Sequence, residues 1–436
     1  MSFRHSGGAR RRNGPPAAGA LLAIVAASGW PLWCSGQEAP ASAVAGSVNS
    51  GEGNPDDPDR EFVAWNEYEG PWFTARLGGG LLYDTANYSQ DADSHSQFDF
   101  DAEQYVRDSR LLLKGRLGSS SRVRYTIGYM YDSAPEKRTW FWRQTGIYVD
   151  LPAIGGDIFV GRTKEGISMN KMMVGYNGWT NERATSNDAF IPILADGVQL
   201  RGSLPDRGIA WNVGIYDDEY TESESFNKND NQIVARGAWQ AMHGKSEDEL
   251  LHFGLAYRYG TDDDGFLQYK SRPESFSAPF VIDTGAIPAD HSQTVNLETY
   301  YQRGPLSVGG EYFLNQVSAP ASNDPFFHGG EIHVSWLTGG ARRPYNAKTG
   351  VYGGIVPTSS VFEGGRGNWE FVARFSYTDL DDGPIQGGRF WRFTPMANWH
   401  MSPNLRLEFV YGYGVLDRFG TEGGTHFFQT RIQLQL

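Results

Sequence analysis

The chain has 436 residues, a formal charge of -13 and a mean hydropathy of -0.48, but it also contains 13 Trp, 22 Tyr and 25 Phe. The acidic balance argues against a nucleic-acid-binding protein. Many aromatic residues in a hydrophilic chain fit numerous strands with a narrow apolar band and large polar loops better than one soluble core, although composition alone leaves a large soluble β protein open.

The N-terminus has the pattern of a secretory signal. Arg4 and Arg10 to Arg12 precede an apolar run over residues 17–30, and small residues follow at Ser35 and Gly36. We therefore predict a cleaved signal peptide over residues 1–36. The run is too short for a confident spanning helix, and no later segment approaches the roughly 20 apolar residues that such a helix needs. Cleavage removes four arginines and no acid, which changes the formal charge from -13 to -17.

The only cysteine of the chain, Cys34, lies inside this predicted signal peptide. The exported protein is therefore expected to have no disulfide framework, and backbone pairing and packing must hold its fold. Lipid attachment at Cys34 is an alternative, but Trp33 is bulky where bacterial lipoprotein signals usually have a small residue.

Residues 37–70 are rich in Ala, Ser, Gly, Pro and Asp and have almost no apolar periodicity. This composition predicts a flexible acidic leader. The remaining residues, 71–436, have a different pattern and are predicted to form one domain.

The stretch "SRVRYTIGYMYD" at residues 121–132 shows the pattern of that domain. Every second residue from Val123 to Tyr131 is apolar or aromatic, whereas Arg122 and Arg124 point to the opposite face of the predicted strand. A half-buried strand of a soluble sheet would give the same alternation. The choice between a lipid-facing strand and a strand of a soluble sheet depends on how often the pattern recurs along the chain.

Strand-like runs of this kind recur along the whole domain, separated by turn residues. An even number of alternating segments predicts an all-β fold, a transmembrane antiparallel β-barrel of about 16 strands, with short turns at one end and long loops at the other. The sixteen runs begin near Trp72, Val106, Arg122, Phe141, Asp157, Asp196, Arg207, Asn231, Leu251, Ser292, Pro305, Phe326, Asn368, Gln386, Asn404 and Gly424.

The face opposite the aromatic residues is rich in arginine and lysine. Charged side chains in hydrocarbon cost several kcal/mol, so this face is expected to line a wet lumen. Guanidinium groups match phosphate oxygens with paired donors, and in series they form a path for anions; pairing with wall carboxylates such as Glu370 and Glu408 is the alternative role. The candidates on the strands are Arg76, Arg110, Lys114, Arg116, Arg122, Arg124, Arg374, Arg392, Arg406 and Arg431.

The segment from Lys164 to Ile193 is long for a barrel connection. Long ordered loops are usually functional, so this segment, which contains Lys171 and Arg183, is predicted to fold inward as a constriction loop over about residues 164–193. An ordinary extracellular loop is the alternative. The candidates added to the anion path by this region are Arg162, Lys164 and Arg183.

An enzymatic function would need a convergent site. "HGGEIH" places Glu331 and His333 on one strand face with His328 nearby, a weak metal-like spacing without a second cluster, and no nucleophile elbow or phosphate-cradling glycine loop is present. We expect no catalysis, no cofactor and no metal. A general or cation-preferring porin, or a plugged structural or adhesive barrel, remains the alternative to an anion pore.

Three segments resemble the closing part of the phosphate-selective porin O and P family: "SWLTGGARRPYNAKTGVYGGIVP" (335–357), "GNWEFVARFSYTDLDDG" (367–383) and "NWHMSPNLRLEFVYGYG" (398–414). "VGRTKEGISMN" (160–170) is similar to that family's strand leading into its constriction loop. The chain departs from the family at Gly340, where an acidic residue is frequent, and at Leu436, where an aromatic residue usually ends the barrel.

The resemblance implies a homotrimeric barrel in the bacterial outer membrane, in contact with lipid and lipopolysaccharide. It also implies that inorganic anions, phosphate or polyphosphate above all, pass along lumenal arginines and lysines. The departure at Gly340 leaves open which carboxylate pairs with Arg342 or Arg343.

Overall fold

A computed structural model of the chain describes residues 66–118, 121–132, 139–217, 230–242 and 249–436. The predicted signal peptide, Cys34 and the predicted leader up to residue 65 lie outside the described residues. Within the range predicted for the leader, Glu67–Glu69 form a short strand that pairs with the first strand of the barrel.

Sixteen antiparallel strands form a closed barrel. One of them, β4, consists of two stretches that both pair with β3. The strands are β1 (Thr74–Gln90), β2 (Glu103–Arg116), β3 (Val123–Asp132), β4 (Thr139–Trp142 and Thr145–Leu151), β5 (Gly156–Thr163), β6 (Ala195–Leu204), β7 (Ile209–Asp217), β8 (Asn231–Gln240), β9 (Glu249–Thr261), β10 (His291–Arg303), β11 (Leu306–Ser318), β12 (Phe326–Leu337), β13 (Asn368–Asp382), β14 (Ile385–His400), β15 (Leu405–Arg418) and β16 (Thr421–Gln435).

The barrel closes between its first and last strands. β16 pairs with β1 from Gly80 opposite Gln435 to Gln90 opposite Thr425. Leu436 adds a further bond, since its N–H donates to the carbonyl oxygen of Gly79 at 2.9 Å. Closure gives every strand two neighbours, which is what a sheet needs where no water can satisfy an open edge. The predicted fold, an all-β barrel of sixteen strands, is confirmed.

Burial alternates along the strands as the sequence pattern predicts. On β16, Phe428 and Ile432 are 48% and 41% exposed, whereas Gln429 and Arg431 between them are buried. The exposed set is apolar and the buried set is polar, the reverse of a soluble protein. The apolar band therefore faces lipid, and the polar set faces the lumen.

The two ends of the barrel differ in their connections. Short turns at residues 152–155, 205–208, 304–305 and 401–404 lie at the end where β1 starts and β16 stops. The predicted asymmetry has exceptions, because the β12–β13 connection at this end spans residues 338–367, while the connections at residues 383–384 and 419–420 of the other end are short.

Helices occur only as short pieces in the described connections. They are α1 (Ala92–Gln97) after β1, and α2 (Met169–Met172) and α3 (Thr185–Phe190) in the β5–β6 loop. Small strand pairs lie in the β9–β10 loop (Phe266–Leu267 with Ile287–Pro288, and Lys270–Ser271 with Ile282–Asp283) and in the β12–β13 loop (Tyr345–Asn346 with Val351–Tyr352). No helix of the described residues is long and apolar enough to cross a membrane.

Candidate functional site

The β5–β6 loop, residues 164–194, crosses the lumen and is attached to the wall at both ends of its path. Its helix α2 begins against the carboxylates of two neighbouring strands. The N–H of Met169 donates to Glu298 at 3.0 Å, and the N–H of Asn170 donates to Glu311 at 2.7 Å. Ser168 caps the helix by accepting the N–H of Lys171 at 3.0 Å. Acceptors at these positions satisfy donors that a helix start leaves unpaired.

The middle of the same loop is held by the opposite wall through its backbone carbonyls. Asn398 donates to the carbonyl of Trp179 at 2.9 Å, Arg406 to that of Gly178 at 3.0 Å, and Gln433 to that of Tyr176 at 3.0 Å. A buried irregular loop needs such partners, because unpaired carbonyls inside a protein are unfavourable.

Glu182 of this loop joins two arginines of the wall. Its carboxylate accepts from Arg107 at 2.8 Å and from Arg431 at 2.6 Å, and Arg431 also binds Asp84 at 2.7 Å. Burial alone would raise the pKa of Glu182, but the attraction of the two guanidinium groups outweighs it and lowers the pKa to about 2. Glu182 is therefore ionised at neutral pH, and it neutralises part of the charge of both arginines.

The β9–β10 loop, residues 262–290, also enters the lumen. Its Glu274 forms ion pairs with Arg374 and lies 3.9 Å from the Nε of Arg392. Arg392 donates to the carbonyls of Pro273 and Glu274 at 2.9 Å each. These wall arginines therefore hold the loop in place.

The β12–β13 loop enters from the opposite end and meets the β5–β6 loop. Arg343 forms a bidentate pair with Glu370 at 2.8 and 3.0 Å, and its guanidinium carbon lies 4.6 Å from the ring of Trp179. Trp179 stacks on Tyr300 at 5.6 Å between ring centroids. Glu370 is thus the carboxylate partner of Arg343. The sequence left this partner open, because the chain has Gly340 at a position where the family frequently has an acidic residue.

A cavity of about 320 Å³ lies between the β5–β6 loop, the β9–β10 loop and the wall of β2 to β4. Nine cationic side chains and four carboxylates line it, so the cavity carries a positive excess although the chain is acidic. They are Arg107, Arg110, Arg143, Lys164, Lys171, Arg183, Lys270, Arg272 and Arg431, with Asp108, Glu182, Asp188 and Glu274.

Two guanidinium groups of the cavity have no carboxylate at salt-bridge distance among the described residues. Arg143 has no side-chain hydrogen bond there, and Asp108, which attracts it electrostatically, is paired with Arg110 at 3.0 Å. Arg183 donates only to the backbone carbonyls of Asn170 and Met173, at 2.9 and 3.1 Å. Both side chains are half-buried, so they retain positive charge that an anion can approach.

Lys171 and Asp188 form a weaker contact at the edge of the cavity, with 3.8 Å between Nζ and Oδ1. Burial lowers the pKa of Lys171 to about 8, and Asp188 opposes this shift without cancelling it. Burial likewise raises the pKa of Asp188 and lowers that of Arg183. The loop therefore carries a lysine whose charge changes close to physiological pH.

Two cavity arginines lie at irregularities of the strand pairing. The β1–β2 register shifts where Leu82 faces Asp108 and Tyr83 faces Val106, which leaves Arg107 as an extra residue. The β3–β4 register shifts in the same way at Arg143, between the two stretches of β4. Such bulges redirect a side chain to the other face.

These two arginines were absent from the sequence prediction. When the alternation is counted back from the outward Leu111 and Leu113, it places Arg107 on the outer face. Nothing in the sequence therefore marks Arg107 as a lumenal residue. Arg143 was detectable as a lumenal residue. It follows Phe141 by two positions, and both neighbours of Phe141, Trp140 and Trp142, face outward.

Most predicted anion-path residues do lie on the lumenal face, but many of them are paired there. Arg110, Lys164, Arg183 and Arg431 line the cavity. The others bind wall carboxylates or lumenal loops, or lie buried in the wall: Arg76 with Glu67, Arg116 with Asp150, Arg124 with Asp150 and Asp157, Arg374 with Glu274 and Glu331, Arg392 with Glu274, Arg406 with Glu408, and buried Lys114.

Two predicted residues do not reach the lumen. Arg122 is exposed in the turn before β3, one residue outside the strand. Arg162 lies opposite Asp196 on the outer face of β5 and β6 and binds it at 2.9 Å, because Arg162 shares the parity of Val160, which is 52% exposed. The expectation that both line the path is corrected by these placements.

The histidine-containing segment is divided between the two barrel faces. Glu331 and His333 are buried on the lumenal side, while His328 stacks on Tyr312 on the outer side. Within the described ranges, no group of three His, Cys, Asp or Glu side chains is arranged to hold a metal ion.

A closed sixteen-stranded barrel with a lipid-facing apolar band and inward loops defines a porin of the bacterial outer membrane. The family model described as phosphate-selective porin O and P matches residues 75–436. The chain belongs to this family, and the family and fold indicate a channel rather than an enzyme.

Solved outer-membrane proteins have the same fold. The chain is similar to OmpT of Vibrio cholerae (in-vitro folded) with a TM-score of 0.53 and 12% identity, covering 85% of this chain and 99% of that one. The outer membrane channel DcaP of Acinetobacter baumannii has a TM-score of 0.54 and 10% identity, covering 84% of this chain and 99% of that one. A trimer form of OmpT has a TM-score of 0.51 and 11% identity, covering 84% and 100%.

One curated relative is an uncharacterised protein of Caulobacter vibrioides. It is 25% identical over 174 residues, which cover 39% of this chain and 34% of that protein. The match thus spans about a third of the length of this relative.

Proposed function

We propose that this porin prefers anions over cations, with phosphate as the favoured inorganic substrate. The observation that carries the proposal is the positive cavity beside the β5–β6 loop, in which Arg143 and Arg183 have no salt-bridge partner among the described residues. Guanidinium groups offer paired donors to phosphate oxygens and lose water readily. The name of the matching family supports phosphate as the substrate.

The acidic charge of the whole chain favours the rival, a cation-preferring pore. Charges on the outer loops, however, act across salt solution and are screened beyond about 10 Å at ordinary ionic strength. The charges at the narrowest part of the path act at close range, so they set the selectivity. A barrel closed by its three inward loops is the second rival.

The test is the reversal potential of the purified protein in a planar bilayer under a KCl gradient, with and without phosphate. Potassium and chloride ions have nearly equal mobility, so the sign of the potential reports the selectivity of the pore. We expect the sign of anion preference, and we expect added phosphate to reduce the chloride current.

Variants connect the result to the cavity. The double change Arg143→Gln and Arg183→Gln should lower the anion preference and weaken the phosphate block. Arg122→Gln removes one charge in an exposed turn and should leave both unchanged. Cation preference in the unaltered protein would contradict the proposal, and absence of conductance would support the closed barrel.

We also infer that the chain is exported by a cleaved signal peptide over residues 1–36, followed by an acidic leader, and assembles as a homotrimer in contact with lipid and lipopolysaccharide. The arginine-led apolar run supports the first part. The family resemblance and the trimer form of OmpT support the second.

A further inference from the structure

The cationic cavity also has an apolar side. Phe141 of β4, Val174 and Ile193 of the β5–β6 loop, and Phe276 and Phe280 of the β9–β10 loop line it and remain only half-buried. They come from three separate elements that converge on one space. Small inorganic anions do not bind favourably to such a surface, because apolar groups displace water without replacing its hydrogen bonds.

Cationic groups lie against the two loop phenylalanines. The guanidinium carbon of Arg107 lies 3.5 Å from the ring centre of Phe276. That of Arg272 lies 4.2 Å from the ring centre of Phe280, and the Nζ of Lys270 lies 5.0 Å from the same centre. These distances correspond to cation–π contacts, which hold a guanidinium flat and leave its N–H donors at the edge of the stack. The wall therefore presents aromatic rings that are partly covered by cations, beside positive donors.

Guanidinium groups that can bind an acid group lie beside this aromatic wall of the cavity. Arg143 projects into the lumen two residues from Phe141, and Arg183 lies on the same loop as Val174 and Ile193. A ligand with an acid group and a flat apolar part could bind both these guanidinium groups, which have no carboxylate pair among the described residues, and the aromatic wall. The volume of about 320 Å³ lies at the small end of ligand pockets, which suits one ring with one acid group.

We propose that this cavity selects organic anions that carry an aromatic ring, in preference to aliphatic or inorganic anions of the same charge. The inference rests on the proposed anion preference and adds the class of anion. Contact with the uncovered parts of the Phe276 and Phe280 rings supplies the discrimination, and Arg143 and Arg183 bind the acid group.

The test compares three monoanions as blockers of the chloride current in a planar bilayer at pH 7: benzoate, cyclohexanecarboxylate and acetate. Cyclohexanecarboxylate matches benzoate in charge and approximate size but has no aromatic face. We expect benzoate to block at the lowest concentration and acetate at the highest.

The double variant Phe276→Leu and Phe280→Leu keeps the apolar volume and removes both rings. It should raise the half-blocking concentration of benzoate about tenfold, since two aromatic contacts are lost, and leave acetate unchanged. Phe419→Leu is the matched control, because Arg418 lies 4.7 Å from the ring centre of Phe419 outside the cavity. Normal KCl conductance of each variant shows that it has folded.

The outcomes separate the two proposals. If the unaltered protein prefers anions but benzoate blocks no better than cyclohexanecarboxylate, the aromatic selectivity is wrong and the anion pore stands. An unchanged benzoate block in the double variant also contradicts it. A cation-preferring reversal potential overturns the proposed function itself.

Discussion

An arginine can bind a passing anion only when its donors are not already committed. Arg374, Arg392 and Arg431 each have a carboxylate partner, so their main effect is to hold the inward loops against the wall. Within the described part of the chain, Arg143 and Arg183 lack such carboxylate pairs. We therefore assign the bracing role to most wall arginines and the anion contact to the few in the cavity.

Lys171 gives this site a predictable pH dependence. Its pKa is lowered to about 8, so it is mostly charged at pH 7 and mostly neutral at pH 9. Anion preference should therefore fall as the pH rises through about 8. The measurement is the KCl reversal potential as a function of pH.

Two variants isolate the contribution of Lys171. Lys171→Met should show the lower preference already at pH 7, without the step near pH 8. Lys171→Arg should keep the preference at pH 9, because a guanidinium stays charged. A flat pH profile in the unaltered protein would contradict the assignment.

At the scale of elements, the path depends on how the β5–β6 loop is attached. Three adjacent strands contribute carboxylates to this attachment: Glu298 of β10, Glu311 of β11 and Glu331 of β12. Glu298 has further partners, since it forms a bidentate pair with Arg236 at 2.7 and 2.8 Å and binds His252 at 3.0 Å. The carboxylate of Glu298 thus binds both the barrel wall and the start of α2.

Glu298→Gln should destabilise the barrel and loosen the loop. The change preserves the shape but leaves Arg236 as an uncompensated buried charge, which costs roughly 3–5 kcal/mol. Heat-induced unfolding should begin at a lower temperature, and single-channel current should become noisier. Both are measured on purified protein.

Glu249→Gln is the control for this change. Glu249 pairs at 3.4 Å with Arg303, whose side chain is 72% exposed, and an exposed pair contributes only about 0–1 kcal/mol. Equal stability of the two variants would show that the Glu298 cluster does not anchor the loop.

At the scale of the whole molecule, sixteen strands enclose loops that enter from both ends. The β5–β6 and β9–β10 loops meet at Glu274, whose carboxylate accepts the N–H of Thr185 at 3.3 Å. The β12–β13 loop touches the first of them through Arg343 and Trp179. The conducting path is therefore set by three segments that brace one another.

Native mass spectrometry of the protein extracted from outer membranes in detergent tests its processing and assembly. We expect three identical subunits, each lighter than the full chain by residues 1–36, because the signal pattern predicts cleavage near Gly36. A subunit that retains Met1 would contradict the signal peptide. A monomer at all protein concentrations would contradict the trimer.

The architecture of this protein could be derived from its amino-acid sequence. Alternation has a period of two along most of the strands, so the number of strands and the identity of the cationic face could be derived from residues such as Arg110, Arg374 and Arg431. The starts of all sixteen strands were predicted to within a few residues, and the family was recognised from its closing segments.

Which cations remain available to an anion could not be derived from the sequence and depends on the folded barrel. A bulge turns Arg107 inward against the local pattern, and Arg162 lies on the outer face. Pairs such as Arg431 with Glu182 join residues about 250 positions apart through a loop that crosses the lumen. Periodicity reports the face of a strand but not the partner that the returning loop brings to it, so the chemistry of the constriction depends on the folded barrel.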